Sequence, residues 1–173
     1  DLSLEMQAEK ILSKLIDDYG ATGGTVIIED PQTGKILALA NKPDFDPNAY
    51  QKYAIGNFIN PAVQYVYESG SVFKPITMAV GIETGAITPD TTFVDKGFVT
   101  LNGKTIKNAG EKIYGKVTMT NVIEHSINTG AVFASQKVGR SALLDYFQKF
   151  GFGSKTGIEV PDEVVGDLRT IQG

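Results

Sequence analysis

Residues 70–82 constrain this chain more than any other stretch. Gly70-Ser71-Val72-Phe73-Lys74-Pro75 opens a segment that continues through Ile76, Met78, Ala79, Val80 and Ile82, with Gly85 as its natural stop. A helix of this composition is apolar over most of its circumference, so it belongs in a core and the rest of the chain has to wrap it. Pro75 fits the first turn, where its missing N–H has no intrahelical partner to lose. Ser71 and Lys74 are three positions apart and share one face; Val72 and Phe73 are left to pack elsewhere. Ser71 then lies near free backbone N–H groups and the positive end of the helix dipole, which favour developing negative charge. A serine hydroxyl is a weak nucleophile until a base takes its proton. A lysine is a base only when burial or a nearby positive charge lowers its pKa. The same spacing also suits an N-cap serine followed by a solvated lysine, so the pattern alone does not decide between the two.

Composition narrows the field. With 173 residues, 42% hydrophobic and 21% charged, the chain is long and apolar enough for a globular domain with a real core. Its net charge of −4 argues against a nucleic-acid partner, which needs clustered Lys and Arg. There is no cysteine and only one histidine, His125, so neither a thiolate nor a His-rich metal site is expected, and no cofactor. No apolar run approaches the length of a membrane span, and the first residue is Asp1 rather than Met. The expectation is a processed chain or an excised piece, with any export signal or anchor outside it.

Taken in order, Met6 to Tyr19 predicts an amphipathic helix with Met6, Ile11, Leu12, Leu15 and Ile16 as its stripe. Thr25–Asp30 and Ile36–Ala40 predict a hairpin around Pro31-Gln32-Thr33-Gly34. Residues 41–60 predict an irregular ordered loop. Short β-rich pieces follow at Thr91–Val94 and Phe98–Leu101, and Asn102-Gly103 turns Leu101 back into Lys104–Ile106. Thr118 or Thr120 caps a helix over Asn121–His125, Ser126-Ile127-Asn128 interrupts it, and Gly130–Val138 resumes. Ser141 caps Ala142–Lys149, whose Leu143, Leu144 and Phe147, with Phe150 just beyond, form one face. Residues 158–173 read as acidic and extended. Hairpins mixed with clustered helices make the class α+β.

Ser71 and Lys74 form the single Ser-x-x-Lys of the chain, and Ser126 and Asn128 the single Ser-x-Asn. Around them the chain resembles the transpeptidase domain of class B penicillin-binding proteins, related in fold to the serine β-lactamases. The resemblance begins at Leu4-Glu5-Met6-Gln7 and Asp30-Pro31-Gln32-Thr33-Gly34-Lys35-Ile36-Leu37-Ala38-Leu39. It runs on through Pro43-Asp44-Phe45-Asp46-Pro47-Asn48-Ala49-Tyr50, Gly70–Thr77, His125-Ser126-Ile127-Asn128-Thr129-Gly130 and Phe150-Gly151-Phe152-Gly153. The resemblance implies an antiparallel sheet with a helical subdomain, and acyl transfer from D-alanyl-D-alanine stem peptides of peptidoglycan. In it Ser71 is the nucleophile, Lys74 its base and Ser126 the proton relay to the leaving amine. Asn128 holds the substrate amide and Lys74, and the Ser71 N–H is half of an oxyanion hole. β-Lactams would acylate the same serine. A membrane-anchored parent, with its catalytic domain on the extracytoplasmic face and cell-wall synthesis proteins as partners, is also implied.

Lys155-Thr156-Gly157 imitates the third motif of that family. The catalytic version belongs on an edge strand beside the site, within an apolar β-rich run, whereas Lys155 follows a helix end and the turn Gly151-Phe152-Gly153-Ser154. It also comes soon after Asn128, and in the family a similar Lys-Thr-Gly follows this same Phe-Gly-Phe-Gly stretch. The expectation is therefore that residues 1–173 are a partial transpeptidase domain, incomplete on the C-terminal side, with the third motif and the second oxyanion donor missing. Pro161-Asp162-Glu163 stands where the family has Pro-Gly-Glu, and Ser69 where it often has proline. The alternatives are a β-lactam sensor or non-catalytic module on the same fold, and a D,D-carboxypeptidase or β-lactamase. A Ser-His-Asp hydrolase built on His125 lacks a Gly-x-Ser-x-Gly elbow; a histidine at a helix C-terminus accounts for it.

Overall fold

The computed structural model describes residues 1–172, so Gly173, the last residue of the stretch read as extended, lies outside the described residues. The chain forms two compact units. One comprises Asp1–Val66 with Gly157–Val164; the other comprises Tyr67–Thr156 with the residues from Val165 on.

In the first unit a long helix, α1 (Leu2–Tyr19), lies on a hairpin of β1 (Gly24–Glu29) and β2 (Ile36–Lys42). The helix starts four residues before the expected Met6, because the Asp1 carboxylate accepts the N–H groups of Ser3 and Leu4. Its buried stripe is only partly the one expected: Leu12 and Ile16 pack as read from the sequence, and the rest of the stripe differs. Ala8 and Leu12 are the buried residues, with Leu4 and Ile16 packed beside them, while Met6, Ile11 and Leu15 are exposed. A strict four-residue spacing sets the small Ala8 against Ala38 and Ala40, where a larger side chain would hold helix and sheet apart. Val26 pairs with Ala40 and Ile28 with Ala38, so both strands turn the same alternate residues toward α1. Asp30 organises the turn: its carboxylate accepts the N–H of Gln32 at 2.9 Å and the hydroxyl of Thr33 at 2.7 Å. The outer edge of β2 is blocked where the Leu39 N–H donates to the Glu5 carboxylate at 2.9 Å. Two 3₁₀ turns, Pro47–Lys52 and Ile55–Phe58, and the single helical turn α2 (Pro61–Gln64) follow, so 41–60 is irregular but ordered as expected.

The second unit holds the remaining helices. A 3₁₀ turn, Gly70–Phe73, runs directly into α3 (Lys74–Glu83). Strand β3 (Thr92–Asp95) pairs antiparallel with β6 (Gly115–Thr118), and β4 (Phe98–Leu101) with β5 (Lys104–Lys107). Asn102 and Gly103 both take positive φ, 49° and 76°, the conformation that a two-residue hairpin turn demands. Then come α4 (Met119–Glu124), α5 (Asn128–Val138), α6 (Arg140–Lys149) and the short α7 (Arg169–Gln172). Thr118 caps α4 in a reciprocal capping box with Asn121. Met78, Ile87, Met119, Val122, Ile127 and Ala134 make the core. The strands thus form separate two-stranded antiparallel pairs, and α3 to α7 lie together in the second unit, which is the α+β class.

Four sequence expectations are corrected here. Helix α3 is not buried all round: Met78, Val80 and Gly81 are buried but Ile82 is 51% exposed. Ser141 does not cap α6; Gly139 stands at that position without a side-chain bond, and Ser141 lies inside the first turn. Phe150 is 55% exposed, and Phe152 packs in its place, because Gly151 at φ 90° turns the chain back over α6. Part of the stretch read as extended is helical, since the Asp167 carboxylate accepts the Arg169 N–H at 2.9 Å and starts α7.

Candidate active site

Ser71 sits in the 3₁₀ turn that leads into α3, and Lys74 is the first residue of that helix. Gly70 precedes them at φ 63°, in the left-handed region, with open space around its Cα; the backbone conformation, not lack of room, is what favours glycine there. The turn is pinned by Phe73, whose ring meets Phe147 and Phe152, each at 4.9 Å between centroids. Val72, expected to pack, is 74% exposed and contributes nothing to that anchor.

Ser126 and Asn128 come from the break between α4 and α5. His125 closes α4, and Ser126 takes φ 53°, uncommon for a residue with a side chain. Ile127 is 1% exposed, so it plugs the core and fixes the turn from below. Its N–H donates to the Val122 carbonyl, and its carbonyl accepts the Ala131 N–H, so α5 starts at Asn128 rather than at the expected Gly130. Gly130 lets the two helices meet: a Cβ there would lie 2.3 Å from Val122 Cγ2.

Lys74 gathers the other three residues. Its Nζ lies 3.1 Å from Ser71 Oγ, 2.9 Å from Ser126 Oγ, 2.6 Å from the Ser126 carbonyl oxygen and 2.7 Å from Asn128 Oδ1. Two of these partners, the carbonyl and the amide oxygen, can only accept. The two hydroxyls can accept or donate. A neutral amine satisfies this arrangement by donating to the two fixed acceptors and taking a hydroxyl proton on its lone pair. An ammonium satisfies it by donating to both acceptors and to one hydroxyl. The geometry therefore accommodates both protonation states, with the difference confined to the hydroxyl contacts. Burial pushes the Lys74 amine below its ordinary pKa; the side chain is buried and faces neutral oxygens, with no carboxylate among its partners. Asn128 is held from the other side, where its Nδ2 donates to the Lys107 carbonyl at 2.8 Å, at the end of β5.

Beneath this turn lies a buried polar group that sequence reasoning did not find. Asp95, 2% exposed, accepts four hydrogen bonds. Gly97 N–H and Thr129 Oγ1 donate to its Oδ1 at 2.9 and 2.6 Å; Asn108 Nδ2 and Tyr114 N–H donate to its Oδ2 at 2.9 and 2.8 Å. Burial alone pushes this carboxyl up, but the four donors together hold it below its ordinary pKa. Charge-assisted hydrogen bonds contribute about 1.5–3 kcal/mol each, enough in number to offset the desolvation of one carboxylate. Nothing in the pattern around Asp95 marks it as buried; the signal lies only in the later positions of Asn108, Tyr114 and Thr129.

His125, Lys155 and Ser69 are not among the hydrogen-bond partners of Lys74. His125 stacks on Tyr114 at 5.5 Å, with its Nε2 3.8 Å from the Glu124 carboxylate. It ends a helix and forms no Ser-His-Asp arrangement among the described residues. Lys155 and Thr156 are exposed and lie in irregular chain, not on a strand. Ser69 caps the Gly70–Phe73 turn by position, without a side-chain bond.

Comparison with known proteins agrees with this architecture. Residues 24–172 match the model of the penicillin binding protein transpeptidase domain. The chain is 35% identical over 168 residues to a peptidoglycan D,D-transpeptidase FtsI homolog of Mesostigma viride, covering 92% of this chain and 28% of that protein. It is 31% identical over 173 residues to stage V sporulation protein D of Bacillus subtilis, covering 96% and 27%. It thus spans less than a third of these curated relatives. Among solved structures, the TP domain of Burkholderia pseudomallei penicillin-binding protein 3 superposes with a TM-score of 0.83 at 24% identity, covering 99% of this chain and 47% of that one. A peptidoglycan glycosyltransferase from Burkholderia ambifaria gives 0.84 at 24% identity, with 99% and 50% covered. The fold, the order of its motifs and the matched family model lead to one assignment: the chain belongs to the penicillin-binding protein transpeptidase family.

Proposed function

We propose that these residues carry the nucleophile side of a serine D,D-transpeptidase that builds peptidoglycan cross-links. The observation that carries the proposal is the placement of Lys74 Nζ between two hydroxyls, Ser71 Oγ at 3.1 Å and Ser126 Oγ at 2.9 Å, with two fixed acceptors holding it there. The neutral amine takes the Ser71 proton as Oγ attacks the carbonyl carbon of a D-alanyl-D-alanine bond. A tetrahedral oxyanion forms, and in this reading the Ser71 N–H donates to it. Collapse breaks the C–N bond. The Ser126 hydroxyl gives its proton to the leaving amine and is reprotonated by the Lys74 ammonium, which returns the lysine to its neutral form. The ester on Ser71 is then attacked by the amine of a second stem peptide, and the same relay runs in reverse. A β-lactam carbonyl enters the first half of this sequence and leaves an ester on Ser71.

In this reading the group that binds the substrate's terminal carboxylate, and the second oxyanion donor, lie outside the four residues gathered at Lys74. The whole protein works at the extracytoplasmic face of a bacterial membrane, with other cell-wall synthesis proteins as its partners. No helix among the described residues is long and apolar enough to cross a membrane.

A fluorescent penicillin tests the proposal. The whole protein should be labelled at Ser71, and Ser71→Ala should abolish labelling while its circular dichroism stays unchanged. Labelling that persists in that variant overturns the assignment. A cross-linking assay with stem peptides then separates a transpeptidase from a sensor, which would take the antibiotic without joining peptides.

A further inference from the structure

We infer that the buried Asp95 carboxylate is a positioning group for the Ser126–Asn128 turn, acting through Thr129 on one side of the turn and Tyr114 on the other. On the first side, the Thr129 hydroxyl donates to Asp95 Oδ1 at 2.6 Å, and Thr129 is joined directly to Asn128. Asn108 doubles this hold. Its Oδ1 accepts the Thr129 N–H at 3.2 Å, while its Nδ2 is committed to Asp95 and to the Lys112 carbonyl at 3.0 Å. On the second side, the Tyr114 N–H donates to Asp95 Oδ2 at 2.8 Å, and the Tyr114 ring lies parallel to His125, at 15° between planes, which is joined directly to Ser126.

The turn is thus gripped at both neighbours of its reactive residues, and both grips end on one carboxylate. The turn needs such a hold. Ser126 occupies a left-handed conformation that a residue with a side chain keeps only when its surroundings enforce it. Asn128 must present Oδ1 to Lys74 while its Nδ2 stays on the Lys107 carbonyl. Asp95, Asn108 and Thr129 are 2%, 4% and 6% exposed, so water does not compete for these bonds. None of the three residues is a hydrogen-bond partner of Lys74 or Ser71. Their effect reaches the chemistry only through where Ser126 and Asn128 stand.

Thr129→Val removes the hydroxyl and keeps the shape; Thr129→Ser keeps the hydroxyl. The first readout rests on the acyl-transfer reading. It is the single-turnover rate constant for acylation of the whole protein by a fluorescent penicillin, which does not depend on the fraction of molecules that are folded. Thr129→Val should acylate at least about tenfold more slowly, as a displaced catalytic group does, and Thr129→Ser within about twofold of the wild type. The second readout is independent of acylation: the Asn128 side-chain amide signals by ¹⁵N NMR should shift in Thr129→Val and stay in Thr129→Ser. A wild-type rate constant, or unmoved Asn128 amide signals, in Thr129→Val overturns the inference. Should the wild type take no penicillin, the acyl-transfer reading fails and the amide signals alone decide. Asp95→Asn is measured the same way if Thr129→Val does not fold, with the same losses expected.

Discussion

Lys74 and Asn128 stand 54 positions apart in the chain and 2.7 Å apart in space. The contact is neutral on the asparagine side, and that neutrality matters. Asn128 fixes the lysine amine without adding a counter-charge, so burial is left to keep the pKa low. A carboxylate of the same size would hold the amine as well and charge it. Asn128→Asp should therefore raise the Lys74 pKa and move the pH–rate profile of acylation to higher pH. At neutral pH it should lower the rate about 10²-fold, the low end of what a positioned acid–base group contributes. An unmoved profile would show that Lys74 does not sense this neighbour.

The depressed pKa of Lys74 also sets how stability depends on pH. At low pH the folded and unfolded states both carry the ammonium, and folding bears the full penalty of burying it. As pH rises between the lowered folded value and 10.5, the folded state gives up its proton first, while the unfolded chain still binds one. Stability contributed at this site must rise across that window. Denaturant unfolding at a series of alkaline pH values should show the rise, and Lys74→Met should flatten it. A steeper rise in the variant would contradict the assignment of burial as the cause.

Gly130 joins α4 to α5 at van der Waals contact. A Cβ would meet Val122 Cγ2 at 2.3 Å and Cγ1 at 2.9 Å, so Gly130→Ala should destabilise the chain by about 1–3 kcal/mol. Val122→Ala removes the obstructing methyls. In that background the same glycine change should lose less, with a coupling of about 1 kcal/mol or more. Thermal or urea unfolding of the four-member cycle reads this directly; additive losses would place the strain elsewhere.

In the proposed reading the four residues at Lys74 serve as a nucleophile, a base, a relay and an amide, and none of them is a cation for a substrate carboxylate. The 173 residues by themselves should accordingly acylate slowly with a fluorescent penicillin. A rate constant equal to that of a whole relative would show that the gathered residues suffice.

Much of this was legible beforehand, for reasons that can be named. Ser71 with Lys74, and Ser126 with Asn128, are short-range patterns whose geometry is set within one turn, so their spacing carried over directly. The Asn102-Gly103 hairpin is equally local. What failed was the choice between faces. Leu12 and Ile16 were read correctly, but Met6, Ile11 and Leu15 compete with Leu4 and Ala8 for the same helix, and only contact with the small Ala38 and Ala40 selects which of them go in. Ser141 looked like a cap, yet Gly139 holds that position. Asp95 was invisible for a different reason: a buried carboxylate is recognisable only with its donors, and those lie 2, 13, 19 and 34 residues downstream.

Ser126 carries a backbone angle that would suit glycine, with φ at 53°. Glycine would rest there without steric penalty and give the turn its shape more cheaply. The chain has serine instead. Two requirements meet at one Cα, conformational ease and a hydroxyl beside Lys74, and no single amino acid meets both. The position keeps the hydroxyl at the expense of conformational ease, and the fold around it carries the difference.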